Sequence, residues 1–439
     1  MHIATQLHEQ ETFRRRSSRK TIIHFLAFVS VYLSLLALNY FLKNDALKTL
    51  ANGFAFLIFA MFLLKILQQK TVLRLKNGYA LTFAVLIFGM VCNVVVNLGA
   101  TDIADYLKML LSPFFFVIGY LSLNLNEFSG TVRKKMLFFT WMLLLVPSVI
   151  AVGEQMVWGS RFQEEDLAIS IFANRNNAAL YALVLSILFA ILKVNLRWIL
   201  LYLVAVSVSF ATLGVLVAVV LGIVVVQIRK GNILYLMLSL MLVVVAFLIL
   251  MSTMPTLPVF ERLMSLGEGL HYLYSSGQIR NLSRMNYGQL SEIMGSSDIS
   301  FFFRITHWAE LLEIYSNGSL ESMLFGNGVG SSVRMTAAGL VPHNDYLRYL
   351  FECGLFAFMG FLLLNLRIIK DAGSTYAAIP CTAIMIYFFS ENLINNFLAM
   401  MLFYFLAGFV IARNTAMRKT RTRHEHYASQ PELLRFGRL

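Results

Sequence analysis

Ile233-Leu234-Tyr235-Leu236-Met237-Leu238-Ser239-Leu240-Met241-Leu242-Val243-Val244-Val245-Ala246-Phe247-Leu248-Ile249-Leu250-Met251-Ser252-Thr253-Met254 contains no charged residue and no proline or glycine. As a helix rising about 1.5 Å per residue, such a run spans roughly 30 Å, the hydrocarbon thickness of a bilayer. In lipid a helix satisfies every backbone donor and acceptor within itself, whereas a membrane barrel would read as segments of about ten residues with alternating polarity. The stretch therefore predicts a membrane-crossing helix.

Comparable apolar runs lie on both sides of it. They place spans at roughly 22–42, 50–67, 79–98, 106–123, 136–158, 176–193, 196–212, 214–228, 233–254, 346–369, 376–391 and 393–411. Between the seventh and eighth only Thr212, Leu213 and Gly214 intervene, so one long bent helix is the alternative there. The whole chain agrees with this count: 58% of its 439 residues are apolar, 13% are charged, and the mean hydropathy is +0.71. A soluble globule of this size needs more polar surface. The fold expected is an all-α polytopic membrane protein of about twelve spans.

Sidedness follows from the cations, because lysine and arginine resist translocation. Most of the 36 fall in alternate segments: Arg14, Arg15, Arg16, Arg19 and Lys20 before the first span, Lys65 to Lys76, Arg133 to Lys135, Lys193 with Arg197, Arg229 with Lys230, Arg367 with Lys370, and the tail. These segments are expected in the cytoplasm. The organisation is then a basic segment (1–21), spans one to nine (22–254), a large periplasmic loop (255–345), spans ten to twelve (346–411) and a basic tail (412–439). No small-residue cleavage site follows the first apolar run, so that span is expected to remain as an anchor. Anionic lipid headgroups account for the net charge of +13 without a nucleic-acid partner. Cys92, Cys353 and Cys381 fall within spans and read as packing residues. No metal-ligand spacing, phosphate loop or internal repeat is found, and the lack of a repeat weighs against a transporter built from inverted halves.

A loop of about ninety residues is longer than a passive connection requires. Within it, Phe301, Ile305, Trp308, Leu312 and Tyr315 recur at helical spacing, with Arg304, His307 and Glu310 on the other side. Residues 301–316 are predicted as an amphipathic helix lying on the membrane or bundle. Trp308 is either an interfacial anchor or part of a ligand surface. The loop has five arginines, Arg262, Arg280, Arg284, Arg304 and Arg334, and no lysine. Arginine offers a planar fork suited to phosphate oxygens. Surface pairing with Glu261, Glu268, Glu292 and Glu313 is the competing explanation.

Pro342 and the Asn344-Asp345 pair are helix-start signals, which places His343 at the positive end of the tenth span. A helix dipole there disfavours the imidazolium, leaving a neutral imidazole available as a base; a cap or surface role is the alternative. Asn344, Arg348 and Glu352 follow at four-residue spacing and form one stripe, on which Arg348 and Glu352 can pair while facing a wet cavity. That pair is either structural or a substrate contact.

His343-Asn344-Asp345-Tyr346-Leu347 followed by Glu352-Cys353-Gly354-Leu355 resembles the signature of the O-antigen polymerase and O-antigen ligase superfamily. Arg304-Ile305-Thr306-His307-Trp308, then Leu324-Phe325-Gly326-Asn327-Gly328-Val329-Gly330, is similar to the family's arginine, tryptophan and Gly-x-Gly pattern. Phe172-Ala173-Asn174-Arg175-Asn176-Asn177-Ala178 fits the start of its sixth span. The resemblance covers about 170–410. Members often carry a Ser-Arg-Gly element between the seventh and eighth spans, where this chain has Ala211-Thr212-Leu213-Gly214, so the diphosphate contact would fall to Arg175 or to a loop arginine.

The resemblance implies a metal-independent glycosyltransferase of the bacterial inner membrane, with no cofactor, both termini cytoplasmic and its site periplasmic. Its donor would be an undecaprenyl-diphosphate-linked oligosaccharide and its acceptor a glycan lipid, with membrane lipids and a chain-length regulator protein as further partners. His343, Arg304 and Glu352 are the catalytic candidates. Arg175, Asn174, Asn177, Arg280, Arg284, Trp308, Asn344 and Arg348 are the substrate-binding candidates. The form His-Asn-Asp-Tyr-Leu is closer to polymerases of O-antigen, capsule or exopolysaccharide; a ligase acting on lipid A core, and a flippase or other transporter, are the alternatives.

Overall fold

The computed structural model describes residues 2–68, 75, 77–122, 130–158, 171–172, 174–209, 212–231, 233–253, 258–285, 287–294, 300–373 and 376–428. Several positions invoked above, among them Lys70, Ala173, Ala211, the start of the long loop at 255–257 and the end of the basic tail, lie outside the described residues. Among the described residues there are helices and turns and no strand.

The first nine helices are α1 (His2–Leu42), α2 (Asp45–Gln68), α3 (Asn77–Asn97), α4 (Ile103–Leu121), α5 (Gly130–Trp158), α6 (Arg175–Ile191), α7 (Leu196–Ser209), α8 (Leu213–Lys230) and α9 (Ile233–Thr253). The long loop contains α10 (Pro258–Ser275), a 3-10 helix (Gln278–Arg284), α11 (Tyr287–Met294), α12 (Ser300–Ser316), α13 (Leu320–Phe325) and α14 (Ser331–Met335). After it come α15 (Asp345–Arg348), a π-helical turn (Tyr349–Cys353), α16 (Gly354–Ala372), α17 (Ala378–Tyr387) and α18 (Phe397–Ala428).

Among the described residues eight segments are long and apolar enough to cross a membrane, and four shorter apolar helices lie at 49–64, 175–191, 196–207 and 378–387. The protein is an all-α, multi-pass membrane protein. The seventh and eighth predicted spans are two helices, α7 and α8, and not one bent rod. On α9, Ile233, Leu234, Met237, Leu238, Met241, Val244 and Leu248 are all exposed. A side so apolar is stable only against lipid. By contrast the Phe397–Met417 part of α18 is almost wholly buried between its neighbours and forms the axis of the bundle.

Close helix approach uses small residues, as expected where packing rather than the hydrophobic effect drives association in lipid. A Cβ on Gly119 of α4 would collide with the Phe405 backbone of α18, and one on Gly408 with the Phe116 backbone.

The tenth predicted span is not one continuous helix. The π turn and Gly354, at φ +82°, break it after Cys353. At the break the carbonyls of Phe351 and Glu352 take hydrogen-bond partners from outside their own helix. The glycine loop supplies new ones: Asn327 N donates to Phe351 O at 3.2 Å and Gly328 N to Glu352 O at 3.0 Å. Asn93 of α3 adds an amide donor to Glu352 O at 2.8 Å and to Phe325 O at 2.6 Å. Gly326 and Gly354 are in backbone contact, so neither position has room for a side chain.

Candidate functional site

The Gly-x-Gly loop thus docks on the broken helix, and the residues just before the break form the floor of a polar cluster. Asn344 caps α15 through its side chain, which accepts from Leu347 N at 3.0 Å. This is the start signal expected from the sequence, and it fixes the direction of the next residues. Asp345 is buried and points to the connection between α17 and α18. Its Oδ2 accepts from Leu393 N at 2.8 Å and Ile394 N at 3.2 Å, while its own N–H donates to Phe388 O at 2.8 Å. Irregular backbone at such depth requires internal donors and acceptors, and Asp345 provides them. The connection held in this way carries Ser390-Glu391-Asn392.

Glu391 is the centre of the cluster. Its Oε1 accepts from Arg304 Nη2 of α12 at 2.5 Å, and its Oε2 lies 3.0 Å from His343 Nδ1. Glu391 is 6% exposed, Arg304 21% and His343 37%, so a buried carboxylate is flanked by a cation and an imidazole that both reach solvent. Arg175 is the first residue of α6, and the start of that helix lies at the same end of the bundle. Asn174 caps α6 by accepting from Asn177 N at 2.9 Å, and Asn177 O accepts from Asn396 Nδ2 at 3.1 Å. The asparagine-rich start of α6 is therefore joined to the Glu391 connection.

A second layer lies beneath. Arg348 is 1% exposed, and each of its nitrogens has a partner: Nε donates to Glu352 Oε2 at 2.9 Å, Nη1 to Asn395 Oδ1 at 2.7 Å and Asn392 Oδ1 at 3.2 Å, and Nη2 to Asp105 Oδ2 at 3.0 Å. Glu352 is 0% exposed and also accepts from the Ser332 hydroxyl. The expected pairing of Arg348 with Glu352 is present, but it faces protein and not a wet cavity. Almost fully buried and with their strong donors and acceptors engaged within the protein, Arg348 and Glu352 tie α15 and the π turn to α4 and to the Glu391 connection.

The helix predicted at 301–316 is α12, but its faces differ from the expectation. Phe301 and Leu312 are exposed, whereas Phe302, Thr306, His307 and Leu311 are buried. Residues of both sides meet the protein: Ile305, Trp308 and Tyr315 of the side read as apolar pack inward, and from the side read as polar Arg304 pairs with Glu391 and Glu310 Oε1 accepts from Ala337 N at 2.7 Å. Trp308 packs with Tyr315 against Leu311, Leu347 and Phe351. It belongs to the contact between α12 and the broken helix. His307 is buried beside Phe303 with both ring nitrogens lacking a hydrogen-bond partner, and burial lowers its pKa from the usual histidine value.

Arg280 and Arg284 are exposed on the 3-10 helix, which packs on α10 and α12. Neither belongs to the Glu391 cluster described here. Sequence reasoning missed Glu391, Asp105, Asn392 and Asn395; the polar run Ser390-Glu391-Asn392-Leu393-Ile394-Asn395-Asn396 between two apolar stretches was the available signal. Fold and cluster together define a multi-pass membrane protein with a charged, partly accessible centre at one end of its helices. No protein-family model matches the chain, and no curated protein matches it.

Proposed function

We propose that this chain is a membrane glycosyltransferase that polymerises undecaprenyl-diphosphate-linked oligosaccharide units at the periplasmic face. The observation that carries the reading is the shared carboxylate: Glu391 holds Arg304 on one oxygen and His343 on the other, at the end of the bundle where Arg175 also lies. A hydrogen bond from His343 Nδ1–H to Glu391 leaves Nε2 as the basic nitrogen, as in other sites where a carboxylate orients an imidazole. The acceptor hydroxyl oxygen bonds to the anomeric carbon, its proton passes to Nε2, and the bond from that carbon to the diphosphate breaks. Undecaprenyl diphosphate leaves with the electron pair, its charge matched by Arg304 and Arg175. Arg304 Nε is buried with no partner in the protein, which leaves it as an unused donor beside this charge.

Incubating the purified full chain with a lipid-linked repeat unit, with and without lipid A core, tests the proposal. A ladder of lipid-linked oligomers from the repeat unit alone is expected. Product only in the presence of lipid A core would reassign the chain as a ligase. Movement of intact donor across a vesicle membrane, with no new glycosidic bond, would reassign it as a transporter.

A further inference from the structure

Opposite the Glu391 end, the same helices enclose a second polar site. A cleft of about 940 Å³ opens between the far ends of α6, α8 and α18 and the start of α17, and its walls include Lys193, Arg229, Lys230, Tyr376, Arg413 and Asn414. Among the described residues no carboxylate lines it. The α8 helix runs the full distance: Gly214 at its start lies against Ser390, and Lys230 at its end lines the cleft. Its 18 residues correspond to about 27 Å, close to the thickness of a hydrocarbon core. The two sites therefore sit at opposite interfaces of one bilayer.

The cations in the cleft are placed by the fold. Arg229 donates from Nη1 to Ile369 O at 2.6 Å, a neutral partner that fixes the guanidinium without neutralising it. Lys230 stands 5.8 Å from the Tyr376 ring centroid. Lys193 follows α6 at φ +62°, a left-handed conformation usually taken by glycine or asparagine at a helix end. The lysine there adopts this conformation at a backbone cost, and its side chain lines the cleft. The partially negative ends of α6 and α8 favour cations, but they do not explain why four of them converge on a space large enough for a ligand.

We propose that this cleft binds a phosphate anion, and specifically the phosphate-bearing headgroup of an anionic phospholipid of the leaflet opposite the Glu391 site. Clustered cations between spans at an interface recognise such headgroups, while the apolar helix surfaces below accommodate the acyl chains. The inference rests on the cleft alone and does not depend on the proposed glycosyl transfer.

The test is thermal melting of the full chain in a neutral detergent, titrated with short-chain phosphatidylglycerol, short-chain phosphatidylcholine or inorganic pyrophosphate. Phosphatidylglycerol is expected to raise Tm saturably, with phosphatidylcholine ineffective. The Lys193→Gln/Lys230→Gln variant should need about 10–30-fold more lipid for the same rise, at roughly 1 kcal/mol per interfacial cation, and Lys193→Arg/Lys230→Arg should stay near wild type. A saturable rise with pyrophosphate and none with lipid keeps the phosphate site but assigns it to a soluble ligand. Equal responses to both lipids, or a phosphatidylglycerol response unchanged in the glutamine variant, would overturn the proposal.

Discussion

His343 Nδ1 lies 3.0 Å from Glu391 Oε2 although 48 residues and the whole of α16 and α17 separate them. The contact is set by Asp345, two residues along the chain from His343, whose carboxylate holds the backbone of the same connection that carries Glu391. One short segment thus supplies both the imidazole and the clamp that positions its partner. Neighbouring Asn344 fixes the helix start between them.

Arg304 is expected to be poorly replaced by lysine. Arg304→Lys retains a charge for Glu391 but loses the planar fork and the unused Nε donor. Loss of one charge-assisted contact costs roughly 1.5–3 kcal/mol. In a turnover assay with a lipid-linked donor, kcat/KM should fall about 10–150-fold in Arg304→Lys, and Arg175→Lys should show a smaller loss in the same direction. Wild-type kinetics in both variants at matched protein level would remove the diphosphate role.

Arg348 should govern stability. Arg348→Met strands the buried Glu352 and leaves Asp105 with Lys108 alone, and removing one member of a buried charge network costs about 3–5 kcal/mol. Folded yield and Tm in detergent should drop sharply. Arg348→Met combined with Glu352→Gln should recover part of that loss, because one stranded charge is then removed. A single variant that melts like wild type would show that the network carries little stability.

Burial of His307 makes a pH-dependent contribution with a definite sign. Its pKa is lowered on folding, so the unfolded chain binds its proton more readily than the folded one. Stability from keeping His307 neutral is fully present above the unfolded value of about 6.5 and declines as pH falls from there through the lower folded value. His307→Phe removes two unpartnered ring nitrogens in favour of an apolar ring beside Phe303. Its Tm should be at least that of wild type at pH 7.5 and should fall less between pH 6.5 and 5. An identical acid loss in both proteins would show that another group is responsible.

What the sequence disclosed was local. The apolar runs, the cap at Asn344 and the four-residue spacing of Arg348 and Glu352 depend on neighbours along one helix, and all three correspond to features of the structure. Glu391 was hidden because its significance depends on Arg304 and His343, which are distant in sequence, and because it lay at the predicted edge of an apolar run. Asp105 resembled an ordinary helix-start acid paired with Lys108, as indeed it is at 2.8 Å, and only the packing of α4 brings it to Arg348. The burial of His307 and the inward pairing of Arg304 beside Trp308 on α12 were likewise beyond periodicity, since the spacing identifies two faces without saying which residues of each meet the protein. The π turn left a single local trace, Gly354.

His343 and Glu391 should fail together, in a way that separates basicity from simple hydrogen bonding. A general base typically contributes about 10²–10⁴ in rate, so His343→Ala should lower polymer formation by that factor with membrane insertion and Tm little changed. His343→Gln can still donate to Glu391 but has no basic nitrogen, and it should fail nearly as badly if proton transfer is its role. Glu391→Gln should also reduce turnover, because it no longer holds the imidazole by a charged partner or balances Arg304. Acting on the same step, the two losses should not add: His343→Ala/Glu391→Gln should be about as slow as His343→Ala alone. Each variant is to be assayed at matched protein level with one lipid-linked donor. Activity restored by glutamine at 343 would assign that residue a hydrogen-bonding role, and fully additive losses would show that Glu391 acts through Arg304 and not through His343.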